Sequence, residues 1–197
     1  MSDLSHFTES GLPGIGLVPY GMHKCHFYRG REELVATLVP YFVAGLKANE
    51  RCLWIAAPPL PADDAVAVMH EAHDRTEEAI RTGQLRILDF DQWYHTASDG
   101  AGPGVVQFWL KEEESALAAG YAGLRVTGNT RFLQPADLPA FIDYERAVTA
   151  AFSSRRIVAL CSYAHLQCTD VQMSDVMNAH HCTLERPDAL WQVVPAA

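Results

Sequence analysis

The chain has 197 residues, 49% hydrophobic and 20% charged, with a formal net charge of −9. That apolar content excludes a disordered polymer and supports a sizeable core, and the acidic balance argues against nonspecific nucleic-acid binding, which needs a basic face. No apolar run approaches a membrane span, and the opening "MSDLSHFTESGLPG" lacks the basic and apolar regions of a secretory signal.

The first twenty residues are polar and glycine-rich, which predicts a flexible lead-in before a single domain over 21–197. "HKCHFY" reads as a short strand. "REELVATLVPYFVAGLKA" carries Leu34, Leu38, Phe42 and Leu46 at helical spacing, with Pro40 inside it as a source of bending. "RCLWIAA" is a continuous apolar run, the mark of a strand buried on both faces, and the proline cluster after it ends it. "DDAVAVMHEAHDRTEEAIRTG" opens on capping-type acids and stops at Gly83, so it predicts one helix. "LRILDF", "GLRVTG" and "RIVALCSY" are further strands, separated by the helices "PGVVQFWLKEEESALAAGY" and "PADLPAFIDYERAVTAAFSS". A short helix over "TDVQMSDVMNAHH" and a last strand "LWQVV" close the chain. Such alternation predicts an α/β three-layer sandwich with a mostly parallel central sheet.

In such a sheet, ligands sit beyond the carboxyl ends of the strands. Those ends carry Phe27, Tyr28 and Arg29; Pro58 and Pro59; Asp89, Asp91, Trp93 and Tyr94; Asn129 and Arg131; and Tyr163 and His165. Rings with a few polar groups suit a small organic ligand, although any single ring there can simply close the core. The first turn, "YRGREEL", has one glycine and two acids, Glu32 and Glu33, where a phosphate loop needs several glycines and a lysine. Acids at that helix start repel a triphosphate, which argues against nucleotide hydrolysis by the usual route.

His23, Cys25 and Phe27 alternate and share one strand face. If the "RIVALCSY" strand is their neighbour, a cluster of His23, Cys25 and Cys161, with His165 or Cys168, has the donor types for zinc or another soft metal. The same thiols suit a redox switch if His23 or His26 activates Cys25. Plain packing is the alternative for each, since free cysteine is a good small core residue. No framework spacing joins the five cysteines, which predicts reduced thiols and a cytoplasmic protein.

The segments "HKCHFY", "YFVAGLKANERCLWIA", "GQLRILDFDQWY", "ALAAGYAGLRVTGN", "DYERAV" and "IVALCSY", in this order, resemble the MEDS domain. This is the DcmR-type sensory domain of methanogen and methylotroph regulators, and the likeness runs from about His23 to about His181. It implies a degenerate RecA/KaiC-like domain in which the missing phosphate loop is a family trait. It implies a non-catalytic sensor of small organic molecules, hydrocarbon derivatives among them, that signals to a partner protein such as a kinase or regulator. The family's His and Cys on the first strand match His23 and Cys25; its "RVTG" matches Arg125 to Gly128, its "YE" matches Tyr144 and Glu145, and its "CxY" matches Cys161 and Tyr163. Where the family has an acid and a tryptophan, this chain has Asn129 and Phe132; where the family has His-Pro, it has His180-His181. The expected ligand-binding residues are therefore His23, Cys25, Phe27, Tyr28, Arg125, Asn129, Arg131, Cys161 and Tyr163. No cofactor is expected, with a metal on His23, Cys25, Cys161 and His165 as the alternative. No direct contact with nucleic acid or membrane is expected, and self-association is compatible with the reading. Residual ATP binding or phosphotransfer is the other alternative.

Overall fold

The structure, a computed structural model, describes residues 4–97, 103–130, 138–187 and 190–196. Its main sheet consists of β3 (His23–Tyr28), β4 (Arg51–Ala56), β5 (Leu85–Asp89), β6 (Leu124–Asn129), β7 (Ile157–Ala164), β8 (Cys182–Glu185) and β9 (Gln192–Pro195). The spatial order is β5-β4-β6-β7-β3-β8-β9. Every neighbouring pair is parallel except β8 with β9.

Strand alternation sends side chains to two helical layers. Cys52 and Trp54 of β4 join one core with α1 (Arg31–Lys47), α2 (Ala62–Ala72) and α3 (Thr76–Thr82). Leu53 and Ile55 join the opposite core with α4 (Phe90–Ala97), α5 (Pro103–Ala118) and α6 (Leu138–Phe152). A third cluster packs Cys25 and Tyr163 under α6 and α7 (Asp170–Ala179). Both sheet faces are thus covered, which is why β4 and β7 are apolar along nearly their whole length.

The structure departs from the sequence reading in four places. The helix expected through Gly83 is split at His73–Arg75, where the buried Thr76 hydroxyl lies within hydrogen-bond reach of the Met69 and His73 carbonyls and closes α2. The chain after β5 enters α4 at once, carrying Trp93 over the sheet. β8 was not expected because four residues carry too little periodicity to announce a strand.

The fourth departure is the lead-in. Residues 7–19 are not loose: β1 (Phe7–Glu9) and β2 (Leu17–Pro19) pair antiparallel and dock on α1. Leu12 and Val18 enter the core. Gly11, at φ +80°, lies so close to α1 that a Cβ would stand 2.2 Å from the Pro40 carbonyl oxygen, so only glycine fits. The anchor is Arg125 of β6, fully buried on the α1 face. It pairs with Glu50 and donates to the Ser10, Glu9 and Tyr41 carbonyls and to Thr8 Oγ1. Its guanidinium also lies 4.6 Å from the Tyr41 ring centre.

Candidate functional site

Two depressions lie along the carboxyl edge of the sheet. The first is an apolar cavity with about 60 Å³ of free space between β6–β7 and α4, α5 and α6. A single water needs about 10–15 Å³ on this measure, so the cavity suits a molecule of a few non-hydrogen atoms. Its walls include Phe90, Trp93, Trp109, Phe141 and Val148, and its polar end is formed by His23, Glu145 and Cys161. Trp93 and Trp109 stack with ring centres 5.6 Å apart, and Trp109 Nε1 donates to the Tyr144 hydroxyl at 3.0 Å. Trp93 Nε1 is buried without a hydrogen-bond partner among the described residues.

Local sequence explains the polar end. On α6, Phe141, Glu145, Val148 and Phe152 recur at steps of four, three and four, which puts them on one helix face toward the sheet. Glu145 is the single acid in that apolar stripe. β3 lies parallel to β7, with Cys25 opposite Cys161 and His23 opposite Ala159. The chain entering β8 is tied to the start of β3: His181 N–H donates to the His23 carbonyl at 2.9 Å, and the His23 N–H donates to His181 Nδ1 at 3.0 Å. That clamp sets His180 beside His23, with ring centres 4.1 Å apart.

The result is a quartet in which His23, Glu145 and His180 are buried and Cys161 is part-buried. His23 Nε2 lies 3.2 Å from Cys161 Sγ and 3.3 Å from Glu145 Oε2. His180 Nε2 lies 3.7 Å from the same Glu145 oxygen, and Cys161 Sγ lies 4.0 Å from it. Tyr163 donates its hydroxyl to Glu145 Oε1 at 2.7 Å. Burial pushes the Glu145 carboxyl up to about 7, the His180 imidazole down to about 4 and the His23 imidazole well down, and it raises the Cys161 thiol. Burial keeps the His23 imidazole neutral, so the His23–Glu145 contact is not an ion pair.

The second depression is an open cleft of about 580 Å³ around the end of β3. Phe27, Arg29, Glu33, His165, Arg186 and Trp191 are among its lining residues. Here the opening turn is filled from within: the Glu33 carboxylate accepts the Arg29 N–H at 2.7 Å and pairs with the Arg29 guanidinium at 3.5 Å. A side-chain carboxylate holds the turn where a phosphate loop would present its donors to a nucleotide.

The expected site residues thus scatter. His23, Asn129 and Cys161 line the cavity, and Tyr163 braces Glu145 from behind. Tyr28 is buried on the α1 face, with its hydroxyl 3.3 Å from Asn129 Oδ1. Phe27 and His165 lie in the cleft. Cys25 is buried against the Cys182 carbonyl and Thr183, outside the quartet. Arg125 points to the opposite sheet face and serves the fold. Arg131 lies outside the described residues, as does Phe132. Glu145 and His180 were missing from the expected set. An acid inside an apolar helical stripe was a legible signal for the first; for the second, only the spatial clamp of His181 on β3 supplies one.

Fold and site together define a RecA/KaiC-like α/β domain without a phosphate loop. The fold is similar to the crystal structure of the flagellar accessory protein FlaH from Methanocaldococcus jannaschii, with a TM-score of 0.59 at 10% identity over 92% of this chain and 81% of that one. The sequence model of the MEDS family, described as the MEthanogen/methylotroph, DcmR Sensory domain, matches residues 22–181, and the chain belongs to that family. Among curated proteins no sequence matches it.

Proposed function

We propose that this chain is a non-catalytic sensory domain that binds a small organic, hydrocarbon-derivative-like molecule in the aromatic cavity and passes the signal to a partner protein, a kinase or regulator. The observation that carries this reading is the cavity itself: aromatic walls, a polar end and a volume that admits only a few heavy atoms. The family's description as a sensory domain supports it. So does the turn before α1, where Glu33 takes the place of a bound phosphate.

Trp93 and Trp109 line the cavity and make binding visible by fluorescence. A panel of short alcohols, aldehydes, amines and halogenated alkanes is titrated while tryptophan emission and melting temperature are followed. A true ligand at one hundred times its Kd adds about 2.7 kcal/mol, or roughly 5–11 °C for a chain of this size. Val148→Trp, which fills the cavity, abolishes the response. A panel that leaves both readouts of the unmodified protein unchanged overturns the reading, and saturable binding of a fluorescent ATP analogue with magnesium supports a nucleotide-binding function in its place.

A further inference from the structure

The quartet beside the cavity has a second property, independent of what the cavity holds. Thr149 Oγ1 donates its only proton to the Ala179 carbonyl at 2.6 Å, so in its 2.8 Å contact with His23 Nδ1 it must accept. His23 therefore carries its proton on Nδ1. His180 Nδ1 lies 2.7 Å from the Val176 carbonyl, which can only accept, so His180 also carries its proton on Nδ1. Both imidazoles turn a bare Nε2 lone pair inward, and that of His180, 2% exposed, has no hydrogen-bond partner among the described residues. Leaving such a buried polar atom unfilled is costly, and a bound ion is one of its few explanations.

Carbonyl and hydroxyl partners that fix the outer ring nitrogen are the usual support of a metal-bound histidine. The inner donors complete the set. His23 Nε2, His180 Nε2, Cys161 Sγ and one Glu145 oxygen all lie within 4.8 Å of one another. A tetrahedral zinc ion, with bonds of about 2.0–2.3 Å, holds its ligands about 3.3–3.8 Å apart. Two contacts in the quartet, 3.3 and 3.7 Å, already have that spacing, and the 3.2 Å contact of His23 Nε2 with Cys161 Sγ is slightly shorter. We infer that His23, Cys161, Glu145 and His180 form a four-coordinate site for a borderline-soft divalent metal of the zinc class. Two imidazoles and a thiolate select against magnesium and calcium, which take oxygen donors. Metal binding takes Cys161 as the thiolate, its proton released to solvent, and Glu145 as the carboxylate, so the dication meets two anionic and two neutral ligands.

The test uses the full chain in two steps. Elemental analysis of protein purified without chelator gives about one zinc-class metal per chain. After metal removal, titration with cobalt(II) gives saturable tetrahedral visible bands and a near-ultraviolet thiolate-to-cobalt band. Cys161→Ser loses the thiolate band, and His180→Gln weakens cobalt binding at least tenfold, whereas Cys25→Ser keeps both signals. If a variant does not fold, the unmodified protein still decides. Substoichiometric metal together with no saturable cobalt spectrum overturns the site, and so does a thiolate band that survives Cys161→Ser. Metal-free protein that still responds to a small organic molecule overturns this site alone and leaves the sensory reading intact; metal binding without any ligand response does the reverse.

Discussion

Arg125→Met is the sharpest test of how this chain is held together. The resemblance to the family's "RVTG" strand suggested a ligand contact for this residue, whereas the structure makes it the anchor of the amino-terminal hairpin. Removing the guanidinium leaves the fully buried Glu50 carboxylate without its cation and, among the described residues, with the Tyr20 hydroxyl at 2.8 Å as its remaining hydrogen-bond donor. Breaking a buried ion pair from one side costs about 3–5 kcal/mol. The Glu9, Ser10 and Tyr41 carbonyls also lose their donor. For a chain of this size the expected fall in melting temperature is roughly 6–20 °C. Urea unfolding followed by circular dichroism measures the loss, and hydrogen exchange of residues 7–19 reports release of the hairpin. Adding Glu50→Gln to Arg125→Met recovers part of the deficit because no charge remains buried. A single variant within about 1 kcal/mol of the unmodified protein refutes the anchor, as surface substitutions commonly fall within about 0.5 kcal/mol.

Gly45→Ala tests the same anchor from α1. A Cβ there would lie 2.6 Å from Arg125 Cδ and Nε and 2.9 Å from Cys52 Sγ. Helix propensity favours alanine by about 1 kcal/mol, but overpacking against a side chain fixed by five acceptors costs about 1–3 kcal/mol or more. We expect net destabilisation in urea, and a smaller one when Arg125→Met is also present. His26, buried beside Ser162 and Trp191, gives a pH signature: burial holds its imidazole at about 3, against 6.5 in the unfolded chain. Between those values the unfolded state binds the extra proton, so its contribution is fully present above pH 6.5 and declines as pH falls toward 3. At pH 5 the loss is about 2 kcal/mol. His26→Gln flattens the stability profile by that amount between pH 7 and 5; equal slopes for the two proteins refute the assignment.

The sequence by itself determined the sheet and its covering. Apolar runs such as "RCLWIA" and "IVALCSYA", alternating with amphipathic segments, are enough to demand parallel strands buried between two helical layers. The absence of a phosphate loop was equally legible, because that loop is a local object made of neighbouring residues. The hairpin and β8 were not, since short strands carry little periodicity and owe their existence to distant partners, Arg125 for one and β3 for the other. The quartet belongs to tertiary structure most of all. His23, Glu145 and Cys161 come from three separate elements and His180 from the turn after α7, and sequence spacing carries no record of which faces a fold will bring together. Strand alternation leaves Cys25 and Cys161 on the same sheet face; Cys161 joins the quartet because its thiol lies 4.0 Å from Glu145 of α6 while Cys25 turns to Thr183, and His180 rather than His165 joins it through the hydrogen bonds that tie His181 to β3.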